Sequence, residues 1–211
     1  MKTDDLIGLL AADATPPAAL RPWRIGVSAM AGIVAVLGLF LAFAGIRPDL
    51  AVAVAQPEIA AKTLIPLALF AMSLPLALAS LRPDAAVRPM RSLLLPIIAA
   101  LALWLWSFAT LPPALRFAEV SPVSVGECLG LIIGLSILPL GLLLGLMRQG
   151  ASLAPGRAGA MAGLMIGCGV TAGYSLFCTQ DNPLFYVTWY GAAILIVALA
   201  GAVLGQRLLR W

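Results

Sequence analysis

The chain has 211 residues, 62% of them hydrophobic and only 10% charged, with a formal net charge of +4. A soluble domain carries roughly 25% charged residues, so there is too little polar surface here to dress a water-soluble globule. The positive charge forms no basic run, which argues against direct nucleic-acid binding, and the complete absence of histidine excludes a His-ligated haem or zinc site.

Residues 1–24 read as a polar leader. Thr3 is placed to cap a helix, Asp4 and Asp5 suit its positive first turn, and Leu6, Ile7, Leu9 and Leu10 form an apolar face. Two or three turns are not stable alone in water, so the segment is expected to fold against something. Helices that lie on a membrane carry Lys and Arg toward anionic lipid, whereas this one has Asp4, Asp5 and Asp13 against Lys2. A groove on a partner protein is therefore the better expectation. Ala14, Pro16, Pro17 and Pro22 then make a stiff link to the first apolar block.

Six apolar blocks come next, at 25–45, 63–81, 92–110, 128–147, 158–178 and 186–206, and none contains Asp, Glu, Lys or Arg. About 20 apolar residues let a helix cross roughly 30 Å of hydrocarbon. With no water in that layer, the backbone must satisfy its own hydrogen bonds, so the blocks are helices. The expected fold is all-α: one six-transmembrane-helix bundle spanning residues 25–211. A signal peptide is the competing reading of the first block, because Ala42-Phe43-Ala44 resembles a cleavage site. Its apolar stretch is longer than the 7–15 residues of a signal core, and its leader is long and acidic rather than short and basic.

Pro66, Pro75, Pro96 and Pro139 lie inside the blocks and predict kinks. Glycines four apart allow close backbone approach, and they predict packing seams at Gly130 with Gly134, Gly141 with Gly145, Gly159 with Gly163 and Gly167, Gly169 with Gly173, and Gly201 with Gly205. Dimer contacts are the alternative use of the same spacing.

Ten of the thirteen Lys and Arg residues fall in the leader, in the second and fourth loops, or at the carboxyl end. Arg47, Lys62 and Arg116 alone lie in the first and third loops, and the fifth has none. Positive residues stay cytoplasmic, so both termini are expected inside and the odd-numbered loops outside. A proton or ion relay usually needs an ionisable residue in mid-membrane, and none is present, which argues against a coupled transporter. No phosphate-binding glycine loop and no nucleophile beside a base is evident, so nothing reads as an enzyme.

Cys128 opens the fourth block and Cys178 closes the fifth, at the same outer face; Cys168 lies deep in the hydrocarbon and reads as a small buried residue. A helix amino end favours a Cys128 thiolate while Glu127 opposes it, and a helix carboxyl end with Asp181 disfavours one at Cys178. On that asymmetry Cys128 attacks first and Cys178 resolves. A structural disulfide is the plain alternative, and a soft cation such as cadmium held transiently by Cys128 and Cys178 with Glu127 and Asp181 is a third. No resident cofactor is expected.

The opening Met1-Lys2-Thr3-Asp4-Asp5-Leu6-Ile7, the six blocks, and the run Phe177-Cys178-Thr179-Gln180-Asp181-Asn182-Pro183-Leu184-Phe185-Tyr186 with Trp189-Tyr190 resemble the NrsF family of bacterial membrane anti-sigma factors. Asn182 stands where Ser is expected in many relatives. The resemblance implies an inner-membrane protein that holds an extracytoplasmic-function sigma factor inactive until heavy-metal or oxidative stress acts on a cysteine pair, here Cys128 and Cys178. It makes Asp4, Asp5, Leu6, Ile7, Leu9 and Leu10 the docking element. Two other classes compete: a small transport or channel component, and a thiol–disulfide oxidoreductase, although the Cys-x-x-Cys pair that such an enzyme needs is missing.

Overall fold

A computed structural model describes Thr3, Asp5, Ile7 and Gly8 and residues 22–81, 90–118, 120–150 and 152–210. The described residues form an all-helical bundle. Its elements are α1 (Pro22–Ala44), α2 (Leu50–Val54), α3 (Pro57–Ala79), α4 (Leu94–Thr110) entered through a 3-10 turn (Met90–Leu93), α5 (Pro113–Arg116), α6 (Pro122–Met147), α7 (Pro155–Tyr174) and α8 (Pro183–Leu208).

Proline begins six of these helices. Its missing N–H costs nothing at the first position, and its fixed φ suits the helix. Five of the long helices consequently start three to six residues before their charge-free blocks, and Arg24, Glu58 and Arg157 enter the first turns of α1, α3 and α7. Lys62 lies inside α3, and α6 begins at a capping box in which Ser121 and Ser124 each accept from the other's backbone N–H, at 3.1 and 3.0 Å. Gly45 ends α1 at φ 85°, a left-handed residue that turns the chain sharply into the first loop. Pro66, Pro75 and Pro139 do lie within helices. Pro96 instead stands at the third residue of α4, just after the 3-10 turn that leads into it.

Among the described residues five helices are long and apolar enough to cross a membrane: Trp23–Ala44, Pro57–Ala79, Met90–Thr110, Pro122–Met147 and Pro183–Leu208. The sixth expected block falls on α7, which is less apolar because glycine, alanine and Thr171 replace large aliphatic residues. The reason is its place in the bundle. Thirteen residues of α7 are buried, and it packs against α8, α3, α6 and α1, so its surroundings are protein rather than lipid.

The α7–α8 contact is the most extensive among the described helices, and glycine makes it close. A β-carbon on Gly159 would strike the Gly201 carbonyl, and one on Gly163 would strike the Val197 carbonyl and lie 2.8 Å from the Ala198 Cα. Gly201 and Gly205 face the same seam from α8. Gly169 meets Ile33 and Phe70, and Gly173 meets Leu37, so α1 and α3 close over the other side of α7. The expected seams on α6 are not formed within the chain. Gly130, Gly134, Gly141 and Gly145 are exposed with nothing within 4 Å, because α6 turns Cys128, Ile132, Ser136, Leu140, Leu143 and Met147 inward instead.

Candidate functional site

The first, third and fifth loops gather at one end of the bundle. The backbone N–H of Arg47 donates to the Leu176 carbonyl at 3.0 Å, joining loop one to loop five. Asn182 Nδ2 donates to the carbonyls of Leu115 and Arg116, both at 3.1 Å, joining loop three to loop five. The Asn182 side chain also accepts from Leu184 N–H and so caps α8. A serine here would cap α8 as well, but it lacks the amide that reaches loop three.

A buried ion-pair cluster holds this end together. Arg47 places its guanidinium across two carboxylates, Nη1 and Nη2 on Asp181 at 2.6 and 2.7 Å and Nε and Nη2 on Asp49 at 2.8 Å each. Lys62, only 1% exposed, donates from Nζ to the Cys178 carbonyl at 2.6 Å and to Asp181 Oδ1 at 3.2 Å. Arg47 Nη1 approaches the same carbonyl at 3.4 Å. Burial alone would raise the Asp181 carboxyl, but hydrogen bonds from Arg47 and the charge and hydrogen bond of Lys62 outweigh it, so its pKa lies below the ordinary value. Arg47 holds Asp49 down in the same way, and the two carboxylates hold the guanidinium charged.

Around this cluster, α3 and α8 close the site. Thr63 and Ser175 share a hydrogen bond of 2.7 Å between hydroxyls, and the Tyr186 hydroxyl donates to the Glu58 carbonyl at 2.5 Å. Tyr174, Tyr190 and Tyr186 follow one another in a row, Tyr174 edge-on to Tyr190 with ring centroids 5.9 Å apart and Tyr186 tilted against Tyr190 at 6.1 Å.

All three cysteines are free thiols and all are buried. Cys128 is seven residues into α6, in its second turn rather than at its first residue, so the helix amino end helps its thiolate less than the apolar block suggests. Cys178 does not close a helix: α7 ends at Tyr174, and Cys178 comes after it in a turn whose N–H returns to the Tyr174 carbonyl at 3.2 Å. Both thiols belong to the buried hydrophobic core, as does Cys168. The Tyr190 hydroxyl is buried there without a hydrogen bond. Cys168 stands apart in the middle of α7.

Asp181 joins the thiols through the Cys178 main chain, but its oxygens are spent on Arg47 and Lys62, and Glu127 is exposed. Among the described residues no three Cys, Asp or Glu side chains converge as a metal site. In the leader, Thr3, Asp5 and Ile7 are helical, and Ile7 is 58% exposed. Asp4, Leu6, Leu9 and Leu10 lie outside the described residues.

Sequence reasoning missed the roles of Arg47 and Lys62. The signal was nevertheless present: with Arg116 they are the cations that break the charge bias between loops. The structure neutralises both with Asp49 and Asp181, and seats Arg116 over the Phe108 ring at 4.3 Å.

The family described as NrsF, negative regulator of sigma F, matches residues 10–211. The chain belongs to this family. It is 34% identical to the anti-sigma-F factor NrsF of Caulobacter vibrioides and 31% identical to the probable anti-sigma-F factor NrsF of Azospira oryzae, with the whole of each chain covered in both comparisons. No solved structure matches. NrsF proteins are regulators by description.

Proposed function

We propose that this chain is a membrane anti-sigma factor that sequesters an extracytoplasmic-function sigma factor at the cytoplasmic face of the bacterial inner membrane. In this reading α7 is a sixth span shielded from lipid by its neighbours, both termini are cytoplasmic, and the leader residues Asp4, Asp5, Leu6, Ile7, Leu9 and Leu10 dock the partner. The observation that carries it is full-length similarity to two proteins named as anti-sigma factors. The bundle supports it further, because α1 separates the leader from the Arg47 end by 23 residues, about 34 Å at 1.5 Å per residue.

Cys128 and Cys178 are the sensor in this proposal. A peroxide would convert one thiol to a sulfenic acid with loss of water, and the second thiol would displace a further water to close a disulfide. A soft metal ion would instead take both sulfurs as thiolates and release two protons. Either event needs to change partner affinity only modestly, since about 1–3 kcal/mol of coupling gives a 5–150-fold effect.

Co-purification tests the reading. The sigma factor should be recovered from membranes with the wild-type chain and lost with Leu6→Asp combined with Leu10→Asp; undiminished recovery would remove the leader as docking element. Cys128→Ser should keep repression and lose induction by cadmium or peroxide. Loss of repression instead would make the thiols structural.

A further inference from the structure

Among the described residues Lys62 is the one charged side chain of a long helix that is fully buried. A charge in that setting is costly unless paired, and it marks a function by default. Asp181 alone would balance it. Lys62 nevertheless makes its shorter contact, 2.6 Å against 3.2 Å, with the main-chain carbonyl of the thiol-bearing residue Cys178. Cys178 sits in a turn beyond α7, where no helical ladder holds its carbonyl, so the cations of loop one and α3 fix that stretch of backbone.

We propose that Lys62 is the positioning residue of the thiol pair: by gripping the Cys178 carbonyl it sets where the Cys178 sulfur stands and locks the pair in its resting, unbonded arrangement. The proposal rests on reading Cys128 and Cys178 as the sensor. Its consequence is mechanical. Any bond that moves Cys178 must either break the Lys62 contact or pull on the second turn of α3, and α3 runs 23 residues to the opposite end of the bundle. Lys62 thus ties the sulfur chemistry to a helix that carries no cysteine.

The test uses the full chain in lipid nanodiscs, with methyl methanethiosulfonate as a small thiol probe and mass spectrometry to count modified Cys178 and Cys168. Lys62→Met should speed modification of Cys178 at least about tenfold, equivalent to about 1.4 kcal/mol of easier opening, and leave Cys168 unchanged. Lys62→Arg, which keeps a donor at the same place, should restore much of the protection. Equal acceleration at both cysteines, or none at Cys178, would overturn the proposal. Where Lys62→Met fails to accumulate, the double variant Lys62→Met with Asp181→Asn removes the buried charge together with its counter-charge and is read against Asp181→Asn alone, because Asp181 also holds Arg47. The Cys128→Ser induction assay stands apart: an inducible Cys128→Ser chain would refute the sensor reading while leaving the tether measurement intact.

Discussion

Arg47 and Asp181, 134 positions apart in the chain, meet in a two-point ion pair with N–O distances of 2.6 and 2.7 Å. The Arg47 side chain is 4% exposed and that of Asp181 25%, so the pair sits at the margin of the buried interior and closes loop one onto loop five. Breaking one partner of a buried pair costs about 3–5 kcal/mol, because the other charge is left behind. Asp181 is partly solvated and Arg47 retains Asp49, which lowers the figure here. Asp181→Ala should therefore destabilise the detergent-solubilised chain by about 2–3 kcal/mol, read from its unfolding midpoint. A change no larger than that of an exposed substitution would mean that the loops are held by something else.

The same pair sets a pH dependence. The folded carboxyl of Asp181 titrates below its ordinary value of 3.8, so its contribution is complete above that value and disappears as pH falls through the folded one. Asp49 shares the direction. Thermal stability should be level from about pH 8 to pH 5 on account of this cluster and fall below about pH 4. In Asp181→Asn that acid-side loss should shrink.

Glycine placement makes a contrast between two helices that carry the same four-residue glycine spacing. Gly163→Ala puts a methyl group against the Val197 carbonyl and the Ala198 Cα across a backbone seam that cannot yield cheaply. It should destabilise by about 1–3 kcal/mol, as overpacking does. Gly134→Ala on α6 meets nothing within 4 Å and relieves the helix of a flexible residue, so it should be neutral or stabilising by up to about 1 kcal/mol. Unfolding of the two variants side by side checks both.

Orientation is open to single-cysteine labelling in a background with the three native cysteines replaced by serine. Val52, 68% exposed in loop one, and Leu153, 82% exposed in loop four, lie on opposite faces in the proposed topology. Val52→Cys should react with an impermeant maleimide on intact spheroplasts, and Leu153→Cys only after lysis. The reverse pattern would invert the protein. The native thiols are poor reporters for this purpose, since Cys128 is 1% and Cys178 5% exposed and a bulky reagent cannot reach them.

Much of the bundle was legible from residues alone. Apolar blocks of span length announce helices because lipid leaves a backbone no other partner, and strict alternation brings loops one, three and five to one end. Both stem from local composition and connectivity. Connectivity also puts Cys128 and Cys178 at one end of the bundle, but it does not say whether their sulfurs meet.

Which face each helix turns inward is a different kind of question. Gly134 and Gly163 occupy the same motif, yet one is bare and the other sits against a carbonyl, because rotation about each helix axis is decided by the packing of all the others at once. The modest hydropathy of α7 makes sense only once it is seen enclosed by its neighbours. Lys62 reads from sequence as one more loop cation; its burial, and its hold on Cys178 from 116 residues away, exist only where α3, the turn after α7 and Asp181 converge. Sequence by itself determined that the chain is helical, apolar and divided into two ends, since those properties are carried by each residue or its near neighbours. The tertiary structure alone decided which charges are buried and what they grip, since a charge is tolerated inside only when its partners arrive from elsewhere in the chain.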